Sequence, residues 1–118
     1  MDYKELTVWQ KSMQLVTDVY ILIKTLPREE LYGLSDQIKR SAISIPSNIA
    51  EGSGRNTSKE LIQFLYIALG STNELETQLL IGKNIGYFND LNRYLNEITT
   101  IKKMLNGLIN SIKNNPRP

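Results

Sequence analysis

The sequence contains no cysteine and no histidine, and those two absences exclude more than any motif it carries establishes. Without them there is no thiolate or Cys/His zinc site, no cysteine nucleophile, no Ser-His-Asp triad and no Glu-x-x-His pair of the di-iron bundles. No apolar run approaches the ~20 residues that a membrane-spanning helix needs. The start, Met1-Asp-Tyr-Lys-Glu5, carries charge where a signal peptide would need an apolar centre, so a cytoplasmic location is expected. Charge of either sign is also nearly balanced: 14 Lys and Arg against 12 Asp and Glu give a net +2, too little to mark a dedicated nucleic-acid binder by itself. Strand-type alternation of period two, internal repeats and low-complexity linkers are missing as well. At 118 residues the chain has the length of a single domain, expected over 1–118.

Helical periodicity fills the space these absences leave. Leu6, Trp9, Met13, Val16, Tyr20 and Ile23 recur at three- and four-residue spacing. Asp2 and Glu5 resemble a capping box before them, and Pro27 ends the segment because the residue before a proline avoids the helical region. A second apolar row, Val8, Leu15, Val19 and Leu22, lies beside the first and exceeds what one neighbouring helix requires. These four residues are therefore the expected oligomer interface, and Trp9 is expected in the core.

Gly33 and Ser35 suit a joint and an N-cap for a second helix, in which Leu34, Ile38, Ala42, Ile45 and Ile49 keep helical spacing straight through Pro46. A proline inside a helix costs roughly 3 kcal/mol, so Pro46 predicts a kink within an otherwise continuous helix. Thr57-Ser-Lys-Glu60 is a capping box for a third helix with Leu61, Leu65, Ala68, Thr72, Leu75 and Leu79 on its seam, and Ala68, Gly70 and Ser71 would let another backbone approach. Gly86 suits its C-cap. Asn89 or Asp90 would cap a fourth helix with the seam Leu91, Leu95, Ile98, Ile101, Leu105, Leu108 and Ile112. The pattern predicts helices at about 3–25, 34–53, 57–84 and 89–113. Short connections make an all-α, antiparallel up-down-up-down four-helix bundle the simplest topology.

Candidate functional residues concentrate on the second helix and the turn after it. Lys39, Arg40, Arg55 and Lys59 could contact phosphates while Ser47 and Asn48 add hydrogen bonds. Lys102, Lys103, Lys113 and Arg117 form a further acid-free run after Glu97. No aromatic platform is interleaved with these cations, which argues against sequence-specific readout of single strands. The competing reading makes the polar stripe an internal network or a subunit contact, with Arg40 and Glu51 as partners across the Pro46 bend. Catalysis is the weakest reading. Glu51 lacks a histidine or a second acid at metal-binding spacing, Glu60 has a capping role, and Gly52-Ser-Gly54 follows a helix rather than a strand and so is no phosphate loop. No metal or cofactor is expected.

Several stretches together resemble the four-helix-bundle protein family of intervening sequences in bacterial large-subunit ribosomal RNA genes, which is related to accessory proteins of diversity-generating retroelements. They are Leu6-Thr-Val-Trp-Gln10, Leu31-Tyr-Gly-Leu34 with Gln37-Ile-Lys-Arg40, Ser44-Ile-Pro-Ser-Asn-Ile-Ala-Glu-Gly52 with Arg55, Phe64-Leu65, Ala68-Leu-Gly-Ser71 and Glu74. The proline-containing block is the specific part, and the likeness spans nearly the whole chain, with Lys39 where the family often shows arginine. The resemblance implies a homo-oligomer built as a pentameric barrel of bundles, and an association with RNA or with a nucleic-acid-handling partner. It implies no known chemistry.

Overall fold

The structure, a computed structural model, describes residues 2–116, so Arg117 of the basic C-terminal run lies outside the described residues. Four α-helices follow one another: α1 (Thr7–Ile23), α2 (Leu34–Ser53), α3 (Ser58–Ile85) and α4 (Asn92–Asn114), with single 3-10 turns at Tyr3–Glu5 and Arg28–Glu30. Each helix packs on its neighbour in sequence and α4 closes back on α1, whereas α1 and α3, like α2 and α4, stand diagonal to one another. The result is an elongated body of 49 × 24 × 20 Å, among the described residues all-helical.

The helix ends follow local chemistry. Asp2 accepts from the Lys4 amide, but what it caps is the three-residue 3-10 turn, and α1 starts only at Thr7. Gly33, not Ser35, is the N-cap of α2; the Leu34 amide donates to Glu30 Oε1, 3.2 Å away, and Ser35 is buried. Thr57 caps α3 by accepting from the Glu60 amide. Gly86 ends α3 at φ 100°, a left-handed conformation that side chains other than glycine's rarely tolerate. Asp90 accepts from the Asn92 amide at the start of α4.

Pro46 sits inside α2 with helix running continuously from Leu34 to Ser53, so the segment 44–48 is helical as its apolar spacing predicts. Gly52 supplies close approach at the other end of α2. A Cβ there would lie 2.7 Å from Phe64 Cβ and 3.1 Å from Leu61 Cδ1, so α3 can pass this near only a glycine.

The core contains Leu15, Val19, Ile38, Ala42, Ile45, Ile49, Leu65, Leu75, Leu79, Ile98, Ile101 and Leu105, all fully or almost fully buried. This overturns the interface assignment on α1. Val8, Leu15 and Val19 face inward and are covered by the chain's own helices, and Leu22 is half-buried. The first row is outward over most of its length: Met13 and Tyr20 are exposed, and Trp9 is half-buried rather than in the core, edge-on to Tyr3 with ring centres 5.3 Å apart, although Ile23 at its end is buried.

Candidate functional site

The polar stripe of α2 divides between the interior and the surface. Asn48 Nδ2 donates to the Ser44 carbonyl and to Ser44 Oγ, each at 2.8 Å, and Ser71 of α3 donates to the same Ser44 Oγ at 2.8 Å. One turn earlier, Ser41 Oγ donates to Gln78 Oε1 at 2.7 Å between two buried side chains. Small hydroxyl and amide side chains here let α2 and α3 approach while leaving buried polar atoms partnered. Asn48 is thus committed within α2 to Ser44, the hydroxyl that meets α3, while Ser47 is exposed.

The cations do not form one cluster. Lys39 and Arg40 lie about 20 Å, at 1.5 Å per residue, from the end of α2 at Ser53, beyond which Arg55 stands. Lys39 turns toward α1, its Nζ 5.4 Å above the Tyr20 ring, whereas Arg40 Nε is paired with Asp36 at 2.9 Å. Arg55 reaches back to Glu51 at 2.7 Å and stacks over the Phe64 ring at 4.8 Å, with exposed Lys59 on the first turn of α3. The expected Arg40–Glu51 pair is therefore replaced by two i,i+4 pairs, Asp36–Arg40 and Glu51–Arg55. Helical neighbours one turn apart meet without any bend, and this geometry wins over a partner eleven positions away. Such exposed pairs hold a guanidinium only weakly, by about 0.3–0.5 kcal/mol, so Arg40 remains accessible with 79% of its side chain in solvent.

A second charged centre, missed in the sequence, joins α1 to α4. Asp18 is buried; it accepts from Gln14 Nε2 at 3.0 Å, and Arg93 lies 3.1 Å from its Oδ2, close enough for an ion pair but not aligned as a hydrogen bond. Arg93 also approaches Glu97 at 3.5 Å. Lys102 to Glu76, at 2.8 Å, ties α4 to α3. At the far end, Tyr87 donates to Glu30 Oε2 at 2.8 Å, and that hydrogen bond to a carboxylate, followed by burial and nearby negative charge, raises the phenol above its ordinary value.

Exposed apolar side chains are the other unforeseen feature. They lie on α1 (Met13, Tyr20, Ile21), in the α1–α2 connection (Leu31, Tyr32), on α2 (Ile43), and above all on α3 (Tyr66, Ile67, Leu80, Ile81, Ile85), with none on α4. A groove between α1 and α2 is lined by Tyr3, Trp9, Met13, Val16, Ile43 and Pro46. No helix among the described residues is long and apolar enough to cross a membrane.

No curated protein matches the chain. A crystal structure of a protein of unknown function from the S23 ribosomal protein family of Bacteroides thetaiotaomicron superposes with a TM-score of 0.81 at 31% identity, over 87% of this chain and 98% of that one. Residues 4–107 match the family described as 23S rRNA-intervening sequence protein. That match takes in α1 to α3 and most of α4, including the Pro46 block and the Gly52 contact, and the chain therefore belongs to the 23S rRNA-intervening sequence protein family.

Proposed function

We propose that this chain is a non-enzymatic, antiparallel up-down-up-down bundle that assembles into a cyclic homo-oligomer in the cytoplasm and associates with RNA, directly or as an adaptor to a nucleic-acid-handling protein. Five subunits is the number the family resemblance implies. The observation that carries the RNA reading is the placement of Arg40, Arg55 and Lys59 on the surface, in a family named for an rRNA sequence. Repeated around a ring, these separate surface cations act multivalently despite a net charge of +2.

The test is retention of RNA by the purified protein across a salt series. Binding should be tolerant of sequence and should weaken steeply with salt. Arg55→Gln/Lys59→Gln should lower the slope of log affinity against log salt by about 1.4, at ~0.7 per phosphate contact on a single strand. Absence of retention at low salt would leave the second reading, a protein-interaction scaffold without nucleic acid. That reading draws on the Ser44–Asn48–Ser71 network, in which part of the polar stripe serves packing.

A further inference from the structure

Many of the exposed apolar side chains lie on two faces of opposite shape. The groove between α1 and α2 is concave, and the seam Trp9, Met13, Val16 and Tyr20 along its α1 wall steps by four, three and four residues. The outer side of α3 is a ridge: Ile67, Glu74 and Ile81 recur every seven residues along one line, with Ile85 a turn further on, and Gly70 leaves open space beside them. Both faces thus carry the same seven-residue period, which lets side chains of one helix seat between those of another in register. Because α1 and α3 stand diagonal in the bundle, a chain does not cover its own groove with its own ridge.

Charge distinguishes the two faces further. Glu74, in the middle of the ridge, is exposed and has no hydrogen bond or ion pair among the described residues. At the end of the groove face near Tyr20 stand Lys24, Arg28 and Lys39, none of them ion-paired among the described residues. A carboxylate set among exposed isoleucines matches a cationic rim beside the exposed Tyr20, and like charge across a contact is strongly unfavourable.

We propose that the α3 ridge of one copy seats in the α1/α2 groove of the next, with Glu74 against the Lys24, Arg28 and Lys39 rim. The contact is head-to-tail, since the two faces differ, and such contacts generate rings where the rotation closes. This rests on the homo-oligomer reading above and names the surfaces that reading needs.

Two exposed-site variants test it by sedimentation velocity, with circular dichroism to establish that each keeps its helices. Ile43→Glu blocks the groove and leaves the ridge intact; Ile81→Glu blocks the ridge and leaves the groove intact. Each alone should sediment as one 13.5 kDa chain, and an equimolar mixture should form a species of two chains, because only one ridge–groove pair survives. Glu74→Lys should raise the concentration for half-assembly by roughly a hundredfold, and adding Lys39→Glu should recover most of that loss. Single variants that both still assemble like wild type would overturn the interface and leave the oligomer reading standing. Single variants that are monomeric with a mixture that stays monomeric would overturn the head-to-tail geometry. A wild-type protein that is itself monomeric would overturn the oligomer reading first, and with it this one.

Discussion

α3 and α4 are neighbours of similar length in one bundle, yet they treat apolar surface differently. α4 buries Ile98, Ile101, Leu105 and Ile109 on one stripe and exposes Asn92, Asn96, Thr99, Thr100, Lys103, Asn106 and Asn110 on the other. α3 buries an equivalent stripe, Leu65, Leu75 and Leu79 with Gln78 and Thr72, and still shows Tyr66, Ile67, Leu80, Ile81 and Ile85 to solvent. A helix that has only to pack within its own chain looks like α4, with one apolar side and one polar side. Apolar side chains left uncovered in number are what the proposed subunit contact on α3 would account for.

The first way to break the comparison is to show that the two buried stripes are unequal. Leu75→Ala on α3 and Leu105→Ala on α4 should each cost about 2–5 kcal/mol in denaturant unfolding, since both side chains are fully buried. A near-neutral result for either would mean that its helix is not integral to the core. Next in size, Gly52→Ala should cost about 1–3 kcal/mol by forcing α2 and α3 apart at Phe64, as measured by the shift of the denaturant midpoint.

A sharper contrast comes from matched glycines, because a Cβ at Gly70 of α3 or Gly107 of α4 would meet nothing within 4 Å. Both alanine variants should raise helix stability by about 0.8–1 kcal/mol in thermal melts below the assembly concentration. Only Gly70→Ala should then disturb assembly. If Gly107→Ala disturbs it equally, α4 is not the bystander described above. Smaller still, Lys102→Met should cost about 0.2–1 kcal/mol by removing the α3–α4 pair with Glu76.

The smallest effect belongs to the loops at the far end. Because the phenol of Tyr87 is held above its ordinary value in the folded state, its contribution is intact below the unfolded-state value near 10 and is lost as pH rises through the raised one. The stability advantage of wild type over Tyr87→Phe should therefore be present at neutral pH, where the phenol donates to Glu30, and should shrink as pH rises above about 10. An advantage that stays constant through alkaline pH would contradict this.

How much of this was legible in the sequence depended on whether the signal was local. Thr57, Gly86 and the helix across Pro46 follow from spacing and capping chemistry within a few residues, and they appear in the structure as expected. The inward face of α1 did not. Its two rows differ by a rotation of about 100°, one residue step of a helix. The truly buried one contains Ser12 and Asp18, while the outward one carries the larger Trp9, Met13 and Tyr20. Side-chain size therefore pointed to the wrong row: buried Ser12 is satisfied by the Trp9 carbonyl, and buried Asp18 is hydrogen-bonded by Gln14 and charge-paired with Arg93 some 75 positions away. The Asp36–Arg40 and Glu51–Arg55 pairs are legible as four-residue spacings, whereas the Arg40–Glu51 pairing needs a bend at Pro46 to bring its partners together. The separation of Lys39 and Arg40 from Arg55 and Lys59 needed only the helical rise. The exposed side of α3 was the hardest to see, because apolar residues all round a helix look the same whether they face the chain's own core or another copy.

The account rests on α3 and the α1/α2 groove being subunit faces, and sedimentation equilibrium of the full-length protein across a wide concentration range tests that most directly. The expected result is a mass that rises to a fixed multiple of 13.5 kDa and falls back to one chain with Ile81→Glu. A concentration-independent mass of 13.5 kDa for the wild-type protein would contradict it.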